Sequence, residues 1–262
     1  RKAIEEQELS SVGARADLIT AVAQDMVTKL SELTGIRALE VPNGFDISEE
    51  QVQDCISQTP RRADGEVFRI VYTGMIYPGH RDPTPLLEAL ANLHRSGRIT
   101  PNTVTVDFYG ERLEVIRDLM KNPDYAPFVR LKGHVPRDEA LAAQRSADLL
   151  LLLESPSPES RGVLTGKLFE YICAGRPILC VGSRPEYEIG RVLSSTGTGF
   201  VVGPEKYGQL ASIVADTIAG DGLNGIYTPN LDEIMRYSRR KISLAMWQDI
   251  IENFGTSESA LF

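Results

Sequence analysis

From Val67 to Ala219 the sequence alternates six times between a short aliphatic or β-branched run and a longer amphipathic segment. No other feature restricts the possible folds as strongly. The short runs predict strands at Val67–Thr73, Val104–Tyr109, Phe128–Lys132, Asp148–Leu153, Pro177–Val181 and Gly199–Val202. The longer segments predict helices at Pro83–Arg95, Glu111–Lys121, Arg137–Arg145, Gly166–Ala174, Pro185–Ser194 and Pro204–Ala219. A helix after each strand carries the chain back to its starting edge, so successive strands run the same way. The expected class is α/β: a doubly wound, mostly parallel, Rossmann-like sheet with helices on both faces.

Two flanking pieces fall outside that alternation. Residues 1–43 hold one βα step of their own, with strands at Asp17–Val22 and Arg37–Val41 around a helix at Gln24–Leu33. This piece runs into "PNGFD" (Pro42–Asp46), a Pro/Asn-Gly break suited to a turn or hinge. Ser48–Gly65, with Cys55 and the pair Arg61-Arg62, reads as a linker with a short helix at most. Leu231–Phe254 reads as one long amphipathic helix around the single tryptophan, Trp247. Ile242, Leu244, Ala245, Trp247, Ile250 and Ile251 are its residues available for burial.

Charge narrows the partners. The 262 residues carry a formal net charge of −8, which disfavours nucleic acid, and the only basic run is Arg239-Arg240-Lys241. Three cysteines cannot all pair, and none has metal-ligand spacing. Cys173 and Cys180 sit in apolar runs and read as core residues in a reducing, cytoplasmic compartment. The three histidines are scattered, so no metal is expected. The run Ala147–Leu153 is too short to span a bilayer, and no signal peptide is visible. The start at Arg1 without a methionine suggests a missing upstream portion.

The densest chemistry lies in "GVLTGKLFEYICAGRPIL" (Gly162–Leu179) and the loop before it, "ESPSPESRGVL" (Glu154–Leu164). The loop follows a buried strand, at the edge where open α/β sheets bind ligands. Thr165 suits an N-cap, and Gly166 leaves the first free amides open to an anion such as a diphosphate. Lys167 puts a positive charge where the helix dipole does not favour one, a placement that makes sense for binding phosphate. Glu170 lies on the same face one turn on; as a buried carboxylate it needs strong donors, and the two hydroxyls of a ribose would serve. A Lys167–Glu170 ion pair on an exposed stripe fits the same spacing equally well. "TGTGFVVG" (Thr196–Gly203) precedes a strand instead of following one, so it reads as a tight turn and not a dinucleotide fingerprint.

The "KLFEY…AGRPIL" core resembles the signature region of retaining, nucleotide-sugar-dependent glycosyltransferases of the two-domain GT-B fold, group 1 (family 4). "ADLITAVAQDM" with "VPNGFD", "IVYTGMIYPGHRDPTPLLEAL" (Ile70–Leu90) and "YSRRKISLAMWQDIIENF" (Tyr237–Phe254) extend the resemblance over most of the chain. It implies that residues 1–43 are a remnant of the acceptor-binding N-terminal domain and 44–66 the linker. Residues 67–230 would then be the nucleotide-sugar-binding domain, and 231–262 a crossing helix.

By the same resemblance the donor-binding set is Gly74, Met75, Gly110, His134, Val135, Thr165, Gly166, Lys167, Leu168 and Glu170. Glu170 matches the ribose-binding glutamate, the base lies by His134-Val135, and Arg81 and Lys167 are the catalytic cations. Arg81 also reads as a turn residue paired with Asp82. Two positions depart from the family: Met75 stands for its arginine, and Gly162 for its sugar-binding glutamate, for which Glu154 or Glu159 could substitute. The implied reaction transfers a sugar from a UDP- or GDP-linked donor to a glycan or lipid-linked acceptor, without cofactor or metal, at the cytoplasmic membrane face. A non-catalytic nucleotide- or sugar-binding module and a sugar-nucleotide epimerase are the alternatives; an NAD-dependent enzyme lacks its fingerprint.

Overall fold

The computed structural model describes residues 9, 11, 13, 15–58, 65–77, 79–220 and 227–254. Parts of three expectations lie outside them: residues 1–8, the pair Arg61-Arg62, and residues 255–262 of the crossing segment.

The expected sheet is present, with six strands, all parallel. Two short strands precede it, β1 (Ile19–Ala21) and β2 (Ala38–Glu40), so the sheet strands are β3 (Phe68–Thr73), β4 (Val104–Tyr109), β5 (Val129–Gly133), β6 (Leu149–Leu153), β7 (Ile178–Val181) and β8 (Gly199–Val202). Their spatial order is β5-β4-β3-β6-β7-β8. The winding therefore reverses between β3 and β6, and the carboxyl ends of that pair open the crevice where such folds bind ligands.

Burial explains the strand choice. β6 is five leucines, each fully buried, as befits a strand with helices on both sides. Burying each such side chain contributes about 1.5–3 kcal/mol. One core packs β3, β4 and β6 against α3 (Thr84–Arg95) and α8 (Leu210–Ala219). The other packs the opposite face against α5 (Arg137–Arg145), α6 (Gly166–Cys173) and α7 (Glu188–Thr196).

Several boundaries differ from expectation for local reasons. Between β4 and β5, α4 covers only Glu114–Leu119, because Arg112 sits at φ 55° and cannot join a right-handed helix. α7 begins at Glu188 and not Pro185, since Tyr187 is extended and its hydroxyl donates to the Pro156 carbonyl at 3.1 Å. The segment before α8 winds as a 3₁₀ turn over Pro204–Gln209.

The polar segment after "PNGFD" is more than a tether. Its described part forms α2 (Glu49–Ser57), opened by a capping box between Ser48 and Gln51, with Val52 and Ile56 buried in the same core as α6. Arg176 then donates to the Gln58 carbonyl at 2.6 Å and fixes its far end.

The C-terminal segment is two helices, not one: α9 (Leu231–Met235) and α10 (Arg239–Phe254). Between them the Phe45 amide donates to the Tyr237 carbonyl at 3.0 Å, and the Arg239 amide to the Phe45 carbonyl at 2.9 Å. These main-chain bonds compete with helical ones, so the helix breaks where the chain crosses residues 43–46. No α10 residue is buried; Leu244, Trp247 and Ile251 are about half exposed, at 54%, 51% and 47%. β1 and β2 form a separate parallel pair joined by α1 (Gln24–Thr34), and Arg37 grips Asp249 of α10 with both guanidinium nitrogens.

Candidate functional site

The site is built where β3 and β6 part. β3 ends at Gly74 with φ 120°, and Gly74 donates its amide to the Tyr109 carbonyl at 2.8 Å. β4 ends alike at Gly110, φ 137°, where any Cβ would lie 2.3 Å from the Gly74 carbonyl oxygen. Only glycines satisfy both the conformation and the close approach. A Cβ on Gly74 would also meet the Lys167 ammonium at 2.7 Å.

Lys167 comes from the second position of α6. Thr165 is extended ahead of the helix, but its hydroxyl caps nothing and is buried without a hydrogen-bond partner. The Gly166 and Lys167 amides precede the first hydrogen-bonded amide of the helix, that of Leu168, and remain available. The Lys167 stem reaches back over Tyr72, with Nζ 4.0 Å from the ring centroid. Nζ is buried and has no hydrogen-bond partner. Burial first, and the Arg81 cation second, pull its pKa down from 10.5 to about 7, against the opposing pull of Glu154 and Glu170.

Arg81 lies on the β6 side. Its Nη1 donates to the Met75 carbonyl at 3.2 Å, which also accepts from the Tyr72 hydroxyl at 2.7 Å. Nη2 is 3.8 Å from Glu154 Oε1. Asp82 accepts from the Thr84 amide at the start of α3, so Arg81 is not its partner. Burial pushes the Glu154 carboxyl up, and Arg81 and Lys167 hold it down. Met75 contributes its carbonyl as an anchor, while its side chain is 37% exposed.

On the other side a cleft of about 250 Å³ brings together Gly74, Gly110, His134, Val135, Lys167 and Glu170. Glu170 takes Arg137 as its ion partner, at 3.3 Å, instead of Lys167. The His134 ring lies against Glu111, Nδ1 to Oε1 3.5 Å, and His134 and Val135 both line the cleft. A neighbouring cleft of about 350 Å³ shares Arg137, Gln144 and Glu170 with it and includes Gly166. Leu168 is the expected site residue with the least to offer. Its side chain is fully buried in the core, and its amide donates to the Thr165 carbonyl at 3.1 Å.

A polar network underlies the floor. The Thr73 amide donates to the Tyr171 hydroxyl at 2.8 Å, and Gln144 Nε2 donates to Thr73 Oγ1 at 3.0 Å. Burial pushes the Tyr171 hydroxyl up to about 12, so it stays neutral while it accepts from Thr73. Sequence reasoning missed Tyr72, Thr73, Arg137, Gln144 and Tyr171. Tyr171 reads in sequence as one more apolar neighbour of Glu170, and nothing in the sequence marks Gln144.

Gly162, where the resembled family carries a glutamate, has a structural setting. A Cβ on Gly162 would point at Ala23 Cβ and Met26 Cγ, both 3.5 Å away, at the start of α1. Arg161 beside it pairs with Asp25 at 3.0 Å. Glu159 is engaged by the Ser157 hydroxyl, whereas Glu154 Oε1 is buried without a hydrogen-bond partner. Among the described residues six buried side-chain polar atoms lack such partners, and four of them belong to Gln144, Glu154, Thr165 and Lys167. Their concentration at one sheet edge makes that edge the candidate ligand site.

No family model and no curated protein matches the sequence. Solved structures do resemble it. HepE of Anabaena, in complex with UDP-glucose, superposes with a TM-score of 0.63 at 16% identity, over 96% of this chain and 69% of its own. TarM of S. aureus, in a complex that includes UDP, gives 0.64 at 14%, over 95% and 46%. The pneumococcal O-GlcNAc transferase GtfA, with UDP and GlcNAc, gives 0.59 at 14%, over 94% and 46%. The chain thus spans about half to two thirds of these structures.

Proposed function

We propose that this chain, which has a GT-B glycosyltransferase-like fold, is the donor-binding part of a retaining glycosyltransferase. The donor is a nucleoside-diphosphate sugar, UDP- or GDP-linked, and a hexose passes to a glycan or lipid-linked acceptor. One observation carries the reading: a buried, unpartnered ammonium on Lys167, set over a bare glycine and beside free helix amides at the topological switch point. A diphosphate supplies the charge and the acceptors that this arrangement lacks.

In this reading the diphosphate lies between Gly74 and the start of α6, the ribose binds Glu170, and the base rests by Val135. As the sugar departs, charge grows on the leaving diphosphate, and Arg81 and Lys167 stabilise it. With two cations and two amides facing the leaving group, no metal is needed. Acceptor binding belongs to an N-terminal domain of which β1, α1 and β2 are the remnant, so the chain alone does not turn over. The described residues contain no helix long and apolar enough to cross a membrane; contact with a cytoplasmic membrane face would be peripheral. A non-catalytic binding module remains the second reading, favoured by Gly162 packing on α1 and by the exposed Met75 side chain.

Calorimetric titration with UDP and GDP tests the site. Lys167→Ala and Glu170→Ala each weaken binding by about 1–3 kcal/mol, from the loss of charged hydrogen bonds. Unchanged affinity in both variants removes the assignment. Transfer measured on the longer protein with a panel of donors separates enzyme from module.

A further inference from the structure

We infer that Glu154 limits this site to a diphosphate that carries a hydroxylated substituent, by rejecting a third phosphate. The inference rests on the nucleoside-diphosphate reading given above.

Glu154 is the first residue beyond five fully buried leucines, at the mouth of the crevice between β3 and β6. Its side chain is only 11% exposed, and its nearest cation, Arg81 Nη2, stands at 3.8 Å, beyond hydrogen-bond distance. Oε1 has no hydrogen-bond partner among the described residues. An acid so placed is destabilising unless something donates to it.

Lys167 is shared between Glu154 and the cleft. It lines the cleft with Gly74, Gly110 and Glu170, while Glu154 attracts it from outside that wall. A nucleoside lying by Val135 and Glu170 therefore directs the far end of its diphosphate past Lys167, towards Glu154. Two kinds of group can follow a diphosphate there. A third phosphate meets the carboxylate as a like charge, close by and poorly screened. A sugar presents hydroxyl donors to an oxygen that has none. The unpartnered Lys167 ammonium and the unpartnered Glu154 oxygen thus require different things of one ligand, an anion and then a donor. Discrimination of this kind comes as much from the rejected charge as from the accepted hydroxyl.

The test is calorimetric titration of the intact chain, in EDTA, with UDP against UTP and GDP against GTP. Glu154→Gln and Glu154→Asp are titrated in the same way. The unaltered chain should prefer diphosphate over triphosphate by roughly tenfold or more, the scale of one unfavourable like-charge contact. Glu154→Gln, which keeps the shape and drops the charge, should narrow that ratio about tenfold, and Glu154→Asp should retain most of it. Each ratio is taken within one variant, so a loss of folded protein cancels. An unchanged ratio in Glu154→Gln, or a chain that prefers triphosphate, overturns the role of Glu154 and leaves the site reading standing. If the unaltered chain binds neither diphosphate, the site reading itself is overturned, and this inference with it.

Discussion

The two flanks of the crevice are built on opposite principles. Towards β6, Lys167, Arg81, Glu154 and Thr165 converge, and three of the four hold buried polar atoms without hydrogen-bond partners. Towards β5, Glu170 is satisfied by Arg137 and His134 faces Glu111, all with solvent access. A protein that only had to fold would build both sides like the second. Under the proposed function the first side is destabilising in the empty protein, and a bound anion would relieve it. Changes there should move stability and affinity in opposite directions, while changes opposite should move affinity alone.

The largest effect is expected at Lys167. Lys167→Met keeps the stem over Tyr72 and removes the buried charge. Affinity for nucleoside diphosphate should fall by about 2–3 kcal/mol, while stability in denaturant rises by about 1–2 kcal/mol. A loss of both would mean that Lys167 is structural and would end the contrast between the flanks.

Acidity offers the next test. The Lys167 pKa is about 7 when folded and ordinary, near 10.5, when unfolded. The unfolded chain therefore binds more protons between those values, so stability should rise with pH across that window, and the penalty is full below about 7. Affinity should run the other way. Above pH 7 an anion must bring a proton to Lys167, so binding weakens by up to about tenfold per pH unit. Both trends should vanish in Lys167→Met when followed by thermal melts and by calorimetry in buffers of different ionisation enthalpy.

Much of the frame was legible because it is written locally. The six strands and their helices follow from hydrophobic period, and Gly166 and Lys167 stand out by helix-start chemistry, whereas Thr165, expected to cap that helix, caps nothing. What escaped depends on distant partners. Glu154 became informative only beside Arg81 and Lys167, and Thr73 meets Tyr171 ninety-eight positions away and Gln144 seventy-one away. The break between α9 and α10 likewise comes from Phe45, far off in sequence. The spacing of Lys167 and Glu170 left an ion pair open, and only Arg137 resolved it.

Smaller effects sharpen the comparison. Met75→Arg adds a cation where the side chain is exposed, and should strengthen diphosphate binding by about 0.5–1 kcal/mol with little change in melting. Arg137→Ala frees Glu170 on the satisfied flank and should change stability by less than about 0.5 kcal/mol, as for other exposed pairs. A gain in stability of about 1–2 kcal/mol in that variant, as expected for Lys167→Met, would show that the second flank is as strained as the first.

The most direct measurement is a crystal structure of the chain with a bound nucleoside diphosphate. Phosphate oxygens should lie within hydrogen-bond distance of the Gly166 amide and of Lys167 Nζ, with the ribose hydroxyls on Glu170. A diphosphate bound elsewhere, with the Lys167 ammonium still alone above Gly74, would contradict the account.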